Sequence, residues 1–427
     1  MQIMTENKVV PKLRFSDFQD EWSKIPFERF IEEYKGGAPL KPKDFVRFSN
    51  YEVIPKKAIQ SEGKLCLDKD NPTYCTESFF NKNTRNIINH KYLITTLRDL
   101  VPSGPSIGFI VSNDNPNPLI MAQGVYGFVI SDSLINGFIV QYSNRQEYRK
   151  LMQKIMVGST QVHIRTKDFF RILLTVPKLP EQQKIASFLS AVDEKLQQLT
   201  KKKELLSAYK KGVMQQIFSQ ELRFKDEFGN SYPDWEEKKL GEVGETFNGL
   251  TGKTKVDFGI GKPFIQYMQI FNSAKIDTSK FGYVDISEGE KQKTAKYGDV
   301  FFTTSSETPL EIGYASVLTE EIEEVYLNSF CFGYRPNSLT ELYPDFSSYL
   351  FRSEFLRKQI VKLAQGSTRY NMSKVQLMKV LIQLPSFDEQ QKIANFLSLI
   401  DKKIELISSQ IENTKAFKKG LLQQMFV

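Results

Sequence analysis

The sequence predicts an α+β fold: two mixed α/β domains in tandem duplication, separated and joined by two long antiparallel coiled-coil helices. Three observations predict it. One ten-residue phrase occurs twice. Two stretches repeat apolar residues every three or four positions. Short apolar runs bounded by Gly, Asn and Pro fill most of the remainder.

The phrase EQQKIASFLS at 181–190 returns as EQQKIANFLS at 389–398, 208 positions later. The register extends from Gly158-Ser159-Thr160, repeated as Gly366-Ser367-Thr368, to KKGVMQQIF at 210–218 and KKGLLQQMF at 418–426. Upstream, Leu13-Arg14-Phe15 matches Leu222-Arg223-Phe224, and a tryptophan follows each, Trp22 and Trp235. The period is far too long for a solenoid. It implies two similar domains related by a pseudo-two-fold. We expect a flexible N-terminal tail over 1–12, a first domain over 13–176, a central helix over 177–220, a second domain over 221–384 and a C-terminal helix over 385–427. The tails stay alike while the middles, 23–157 and 236–365, share little. The ends therefore do one job twice, and the middles do two different jobs of one type.

Within the middles, YLITTL (92–97), VYGFVI (125–130), DVFFTT (299–304) and FCFGYRP (330–336) read as strands. RQEYRKLMQKIM (145–156) and FSSYLFRSEFLRKQIVKLA (346–364) read as helices leading into each Gly-Ser-Thr turn. In the tails, Ile393, Leu397, Ile400, Ile404, Ile407 and Ile411 alternate steps of four and three, the seam of a coiled coil. Its counterpart runs Ile185, Leu189, Val192, Leu196 and Leu199, then Lys203, which breaks the apolar seam. Pro177 and Pro180 precede the first helix, and Ser386 or Asp388 offers a cap for the second. Each helix spans about 38 residues, near 57 Å. Two such stripes in one chain can cover each other; each can instead pack on its own domain. Gly212 and Gly420 share a register, which suggests a close contact or a bend.

Composition excludes several classes. Of 427 residues, 40% are hydrophobic and 12% aromatic, enough for packed cores rather than disorder. Three cysteines without CxxC spacing and two histidines argue against a zinc site. The opening residues lack a signal-peptide core, and no apolar run reaches a membrane span, so we expect a cytoplasmic protein. The net charge of +8 points mildly to a polyanion. Three catalytic motifs fail. GLTGKT (249–254) has Phe247 where a phosphate-binding loop needs glycine. DNPTY (70–74) has Thr73 where amino-methyltransferases have a second proline. FGIGKP (258–263) carries Pro263 where a dinucleotide fingerprint opens a helix, so it reads as a loop. No catalytic residue and no metal ligand is assigned.

Candidate nucleic-acid contacts are better placed. Lys35, Gly36 and Gly37 with Lys41 and Lys43 form a glycine-opened basic loop; Lys253, Lys255 and Lys262 occupy the comparable stretch of the second middle. Strand ends add Arg98, Ser103, Thr304 and Ser305. After the Gly-Ser-Thr turns come Gln161, His163, Arg165 and Lys167 in one copy, and Arg369, Tyr370, Asn371 and Lys374 in the other. Arg, Lys, Asn and Gln read base edges, and small residues let backbone approach phosphate. Each of these also fits a solvated polar loop.

Two variable domains, each followed by EQQKIA-x-FL and a long helix, with Gly-Ser-Thr turns and a repeated LRF…W opening, resemble the specificity subunit of type I restriction–modification systems over essentially the whole chain. The resemblance implies that each middle is a target recognition domain reading one half of a split double-stranded DNA site. It implies that the helices set the gap and dock two modification subunits, which bind S-adenosylmethionine and methylate adenine. Two restriction subunits, using ATP and Mg, then join in host defence. The chain itself would bind no cofactor and catalyse nothing. A standalone duplicated DNA-binding regulator is an alternative and would bind tightly without partners; a fused methyltransferase or nuclease is opposed by the length already in use.

Overall fold

The computed structural model describes residues 10–61 and 63–427. The tail expected over 1–12 therefore lies outside them up to residue 9. The chain forms two compact units: the residues up to Lys201 together with Ser409–Val427, and Lys202–Ser408. Both long helices are divided between the units.

In the first unit, a four-stranded antiparallel sheet has the order Ile31–Gly36, Val125–Ile130, Leu93–Thr96, Ile110–Val111. Phe128 is the register point, opposite Tyr34 on one side and Leu93 on the other. A smaller sheet places Leu119–Met121 between Val53–Ile54, parallel, and Ile87–Ile88, antiparallel. Ser23–Pro26 pairs with Leu173–Val176, which brings the domain's start beside the strand that enters the first long helix. The core gathers Phe27, Phe128, Phe138 and Phe169 around the sheet. Each such side chain contributes roughly 1.5–3 kcal/mol on burial.

The second unit repeats this plan. Its main sheet runs Gly244–Asn248, Cys331–Pro336, Val300–Thr303, Ala315–Val317. Its second sheet runs Gly282–Val284, Phe258–Ile265, Val325–Leu327, Thr294–Ala295. Glu236–Lys239 pairs with Leu381–Leu384, as its counterpart does in the first unit. All four strands read from the sequence are present.

Several expectations change. The stretch 346–364 is two helices, Pro344–Leu350 and Glu354–Val361, because the Ser353 hydroxyl accepts from Leu356 N and starts a new helix there. The first unit likewise has Asn136–Ser143 before Gln146–Ile155. FGIGKP is not a loop but part of the strand Phe258–Ile265. Gly259 and Gly261, at φ 121° and 103°, let the register shift between Phe258 and Lys262. The first long helix, Leu179–Phe218, takes Pro180 into its first turn, where a missing N–H costs nothing. The second, Phe387–Gln424, is not capped by the Ser386 hydroxyl, which has no hydrogen bond among the described residues; Asp388 lies inside its first turn.

The two readings of the helices prove compatible. In the first unit, Ile185, Leu189 and Val192 join the domain core, and Leu421, Met425 and Phe426 of the second helix join the same cluster. In the second unit, Ile393, Leu397 and Ile400 do so, with Val213, Ile217 and Phe218 of the first helix. The start of each helix thus packs on its own domain and on the end of the other helix, which is antiparallel pairing. An ion pair marks each site: Lys418 to Asp193 at 2.5 Å, and Lys210 to Asp401 at 2.5 Å. Gln141 also donates to Asp193, and Tyr349 to Asp401. Leu199 and Ile407 are buried, whereas Leu196 and Ile404 are half-buried. Neither Gly212 nor Gly420 makes the close contact expected of it: a Cβ at either would meet nothing within 4 Å.

The repeated words hold each domain to its helix. Arg14 donates twice to the Glu181 carboxylate at 2.7 Å, and Arg223 twice to Glu389 at 2.8 and 2.9 Å. Gln182 accepts from Ile135 N and donates to Pro177 O; Gln390 accepts from Tyr343 N and donates to Pro385 O. Glu181, Gln182, Glu389 and Gln390 are all buried.

Candidate nucleic-acid interface

The Gly-Ser-Thr turns are built alike in both units. Gly158 and Gly366 have φ of 119° and 127°. A Cβ on Gly158 would sit 2.1 Å from the Gln161 carbonyl oxygen, and one on Gly366 would sit 2.2 Å from that of Arg369. Only glycine permits this return of the chain. The residues after each turn then enter a short strand. In the first unit Val162–His163 pairs with Arg98–Asp99, placing His163 opposite Arg98. In the second, Tyr370–Met372 pairs with Ser305–Ser306, placing Asn371 opposite Ser305. Both partner strands follow an inner strand of the main sheet, Leu93–Thr96 in one unit and Val300–Thr303 in the other, so a rigid core carries the turn.

This arrangement brings many of the predicted residues together. In the first unit it groups Arg98, Gln161, His163 and Arg165, with Lys167 in the following short helix, Thr166–Phe170. Ser103 lies in the loop after Asp99, whose carboxylate accepts from Val101 N, Ser106 N and Ser106 Oγ. Arg98, Ser103, Gln161, Arg165 and Lys167 are exposed, and His163 is half-buried. In the second unit Thr304, Ser305, Arg369, Tyr370 and Asn371 adjoin. Ser305 is buried; its carbonyl accepts from the Tyr267 hydroxyl at 2.7 Å, and its own hydroxyl accepts from Arg369 Nη2 at 3.1 Å. A cleft of about 760 Å³ opens here, lined by Tyr267, Phe271, Ser305, Thr368 and Arg369 among others. Lys374 packs over the Phe332 ring and donates to Asn248, and burial lowers its pKa.

Other predicted residues, Lys35, Gly36, Gly37 and Lys253, are tied into the fold. Lys35 and Gly36 end the first strand of the main sheet; Lys35 donates to Ile87 O and lies over Tyr92. Gly37 is required by the backbone, since a Cβ there would sit 1.9 Å from the Ala122 carbonyl oxygen. These three do not form the open loop expected of them. Lys253 is committed to Glu290 at 2.5 Å, with its side chain 8% exposed, and Lys262 pairs with Glu324 at 2.6 Å. Lys41, Lys43 and Lys255 are exposed and lie by short 3-10 turns. Among the described residues no group of three or more His, Cys, Asp or Glu could hold a metal, and no helix is long and apolar enough to cross a membrane.

Sequence reasoning missed the arginines that brace the loops before the last sheet strands. Arg149 donates to the carbonyls of Ile107 and Pro105 and lies over Phe109. Arg357, in the equivalent place, donates to Gly313, Leu310 and Ile312 and lies over Tyr314. Burial lowers the pKa of both. Their common offset of 208 was the available signal.

The family model for the type I restriction modification DNA specificity domain matches residues 34–207 and again 232–414. The chain belongs to this family. The two matches coincide with the two copies of the turn-and-strand surface, one per specificity domain. The chain is similar to the MjaIX type I restriction enzyme specificity subunit of Methanocaldococcus jannaschii, 23% identical over 424 residues, covering 92% of this chain and 87% of that one. It is 28% identical over 288 residues to the MjaVIII specificity subunit of the same organism, covering 62% and 64%. A further specificity subunit of that organism is 31% identical over 222 residues, and the chain spans about half its length, 50%. The crystal structure of the S subunit of the type I restriction-modification system of M. genitalium has the same fold, with a TM-score of 0.57 at 16% identity, covering 98% of this chain and 99% of that one.

Proposed function

We propose that this chain is the sequence-reading, non-catalytic subunit of a type I restriction–modification assembly. Each specificity domain reads one half of a bipartite double-stranded DNA target. The paired helices join the readers and dock two methyltransferase subunits. S-adenosylmethionine belongs to those subunits, and ATP and Mg to the restriction subunits that join them. One observation carries the reading: two specificity domains present the same turn-and-strand surface with different exposed side chains. Identical scaffolds with different chemistry suit two different half-sites. Docking is supported by Tyr209 and Phe417, at equivalent positions of the two helices, which are 53% and 55% exposed.

The test is co-expression with the neighbouring methyltransferase, followed by methylation mapping of host DNA. Replacing residues 13–176 by another reader should change one half of the methylated motif. A replacement that changes both halves, or a purified chain that methylates DNA alone, overturns the reading.

A further inference from the structure

We infer that Gln161 and Arg369 are equivalent base-reading side chains, and that they select adenine in one half-site and guanine in the other. The inference rests on the reading of each domain as a DNA reader. Both residues stand three positions after a glycine with positive φ in the same turn, and in each turn that residue's own carbonyl oxygen packs against the glycine, where a Cβ would clash with it. Backbone geometry therefore delivers the two side chains in the same way from the same place on each domain. Both are exposed. The Gln161 side chain has no hydrogen-bond partner among the described residues, and Arg369 makes one, through Nη2 to Ser305 Oγ, which orients its fork while leaving other N–H groups unbonded. A residue kept for structure would be expected to bond within its domain, as Lys253 and Arg357 do. The two chemistries then differ in a specific manner. The Gln amide offers one donor and one acceptor, the pattern that matches N7 and N6 of adenine in the major groove. The guanidinium offers only donors, the pattern that matches O6 and N7 of guanine.

The experiment uses the full chain co-expressed with its methyltransferase and reads the methylated motif by sequencing. Exchange of residues 13–176 first shows which half belongs to the first domain. Gln161→Ala should then relax one adenine of that half, lowering discrimination at that position roughly 5- to 150-fold, and leave the other half unchanged. Arg369→Ala should do the same to one guanine of the second half. The exchanges Gln161→Arg and Arg369→Gln should convert that adenine to guanine and that guanine to adenine. Uniformly weaker methylation with an unchanged motif would make both residues phosphate contacts and overturn the inference while leaving the two-reader function intact. Relaxation at a G·C pair by Gln161→Ala, at an A·T pair by Arg369→Ala, or in the wrong half, would overturn it as well. A wild-type map without a two-part motif would overturn the function itself, and this assignment with it.

Discussion

Arg223 and Glu389 are 166 residues apart and meet as a two-pronged ion pair, with Trp235 Nε1 adding a third hydrogen bond to the carboxylate. The Glu389 side chain is fully buried, but the Arg223 side chain is 25% exposed. The two partners should therefore not be equal under mutation. Arg223→Met strands a buried charge and should cost roughly 3–5 kcal/mol, whereas Glu389→Gln frees an arginine that can still reach water and should cost less. Denaturant midpoints of the two variants decide this; an equal or reversed order would refute the burial argument. Arg14 and Glu181 make the same pair in the first unit, though there Trp22 Nε1 finds no hydrogen-bond partner among the described residues. The repetition of LRF and of EQQ was legible in the sequence. That one word is the partner of the other was not, because a contact across so many residues leaves no local pattern. The same holds for Lys253 and Glu290: a lysine beside glycines looks like a phosphate contact until its distant carboxylate is placed.

At the scale of elements, periodicity was a good guide wherever one face is buried. The four strands and both long helices were legible because their apolar spacing is imposed by a core on one side. The break at Ser353 was not, since a serine cap inside a continuous amphipathic pattern leaves the apolar spacing intact. The strand through Gly259 and Gly261 was hidden by its own bulge, which uses residues that otherwise signal loops. The matched glycines of the helices misled in the opposite sense. Both lie in helix interiors, and a Cβ on either would meet nothing within 4 Å. Gly212→Ala and Gly420→Ala should therefore each stabilise the isolated chain by about 0.5–1 kcal/mol. In a unit of this size that is a rise of about 1–4 °C in unfolding midpoint. A fall in the midpoint by calorimetry would mean that the open space beside these glycines is filled in the folded chain.

At the scale of the molecule, the passage from one unit to the other lies after Lys201 in the first helix and after Ser408 in the second. These are the places where length can be changed without touching either domain core. One heptad inserted near Lys202 and another near Ser409 keeps the apolar seam in register on both helices. Seven residues add about 10 Å at 1.5 Å per residue. That distance corresponds to about three base pairs at 3.4 Å per step. If the paired helices hold the readers apart, the methylated half-site sequences should stay the same while the unspecified gap between them grows by about three base pairs. The ion pairs Asp193–Lys418 and Lys210–Asp401 each lie within one unit, so both survive the insertion and the helix ends stay docked. Insertion in one helix alone leaves seven residues without a partner and should lower stability instead of lengthening the gap. A matched insertion that leaves the mapped gap unchanged would show that the helices are not the ruler. Their duplicated sequence would then be accounted for by the buried staples of Glu181 and Glu389 and by partner docking alone.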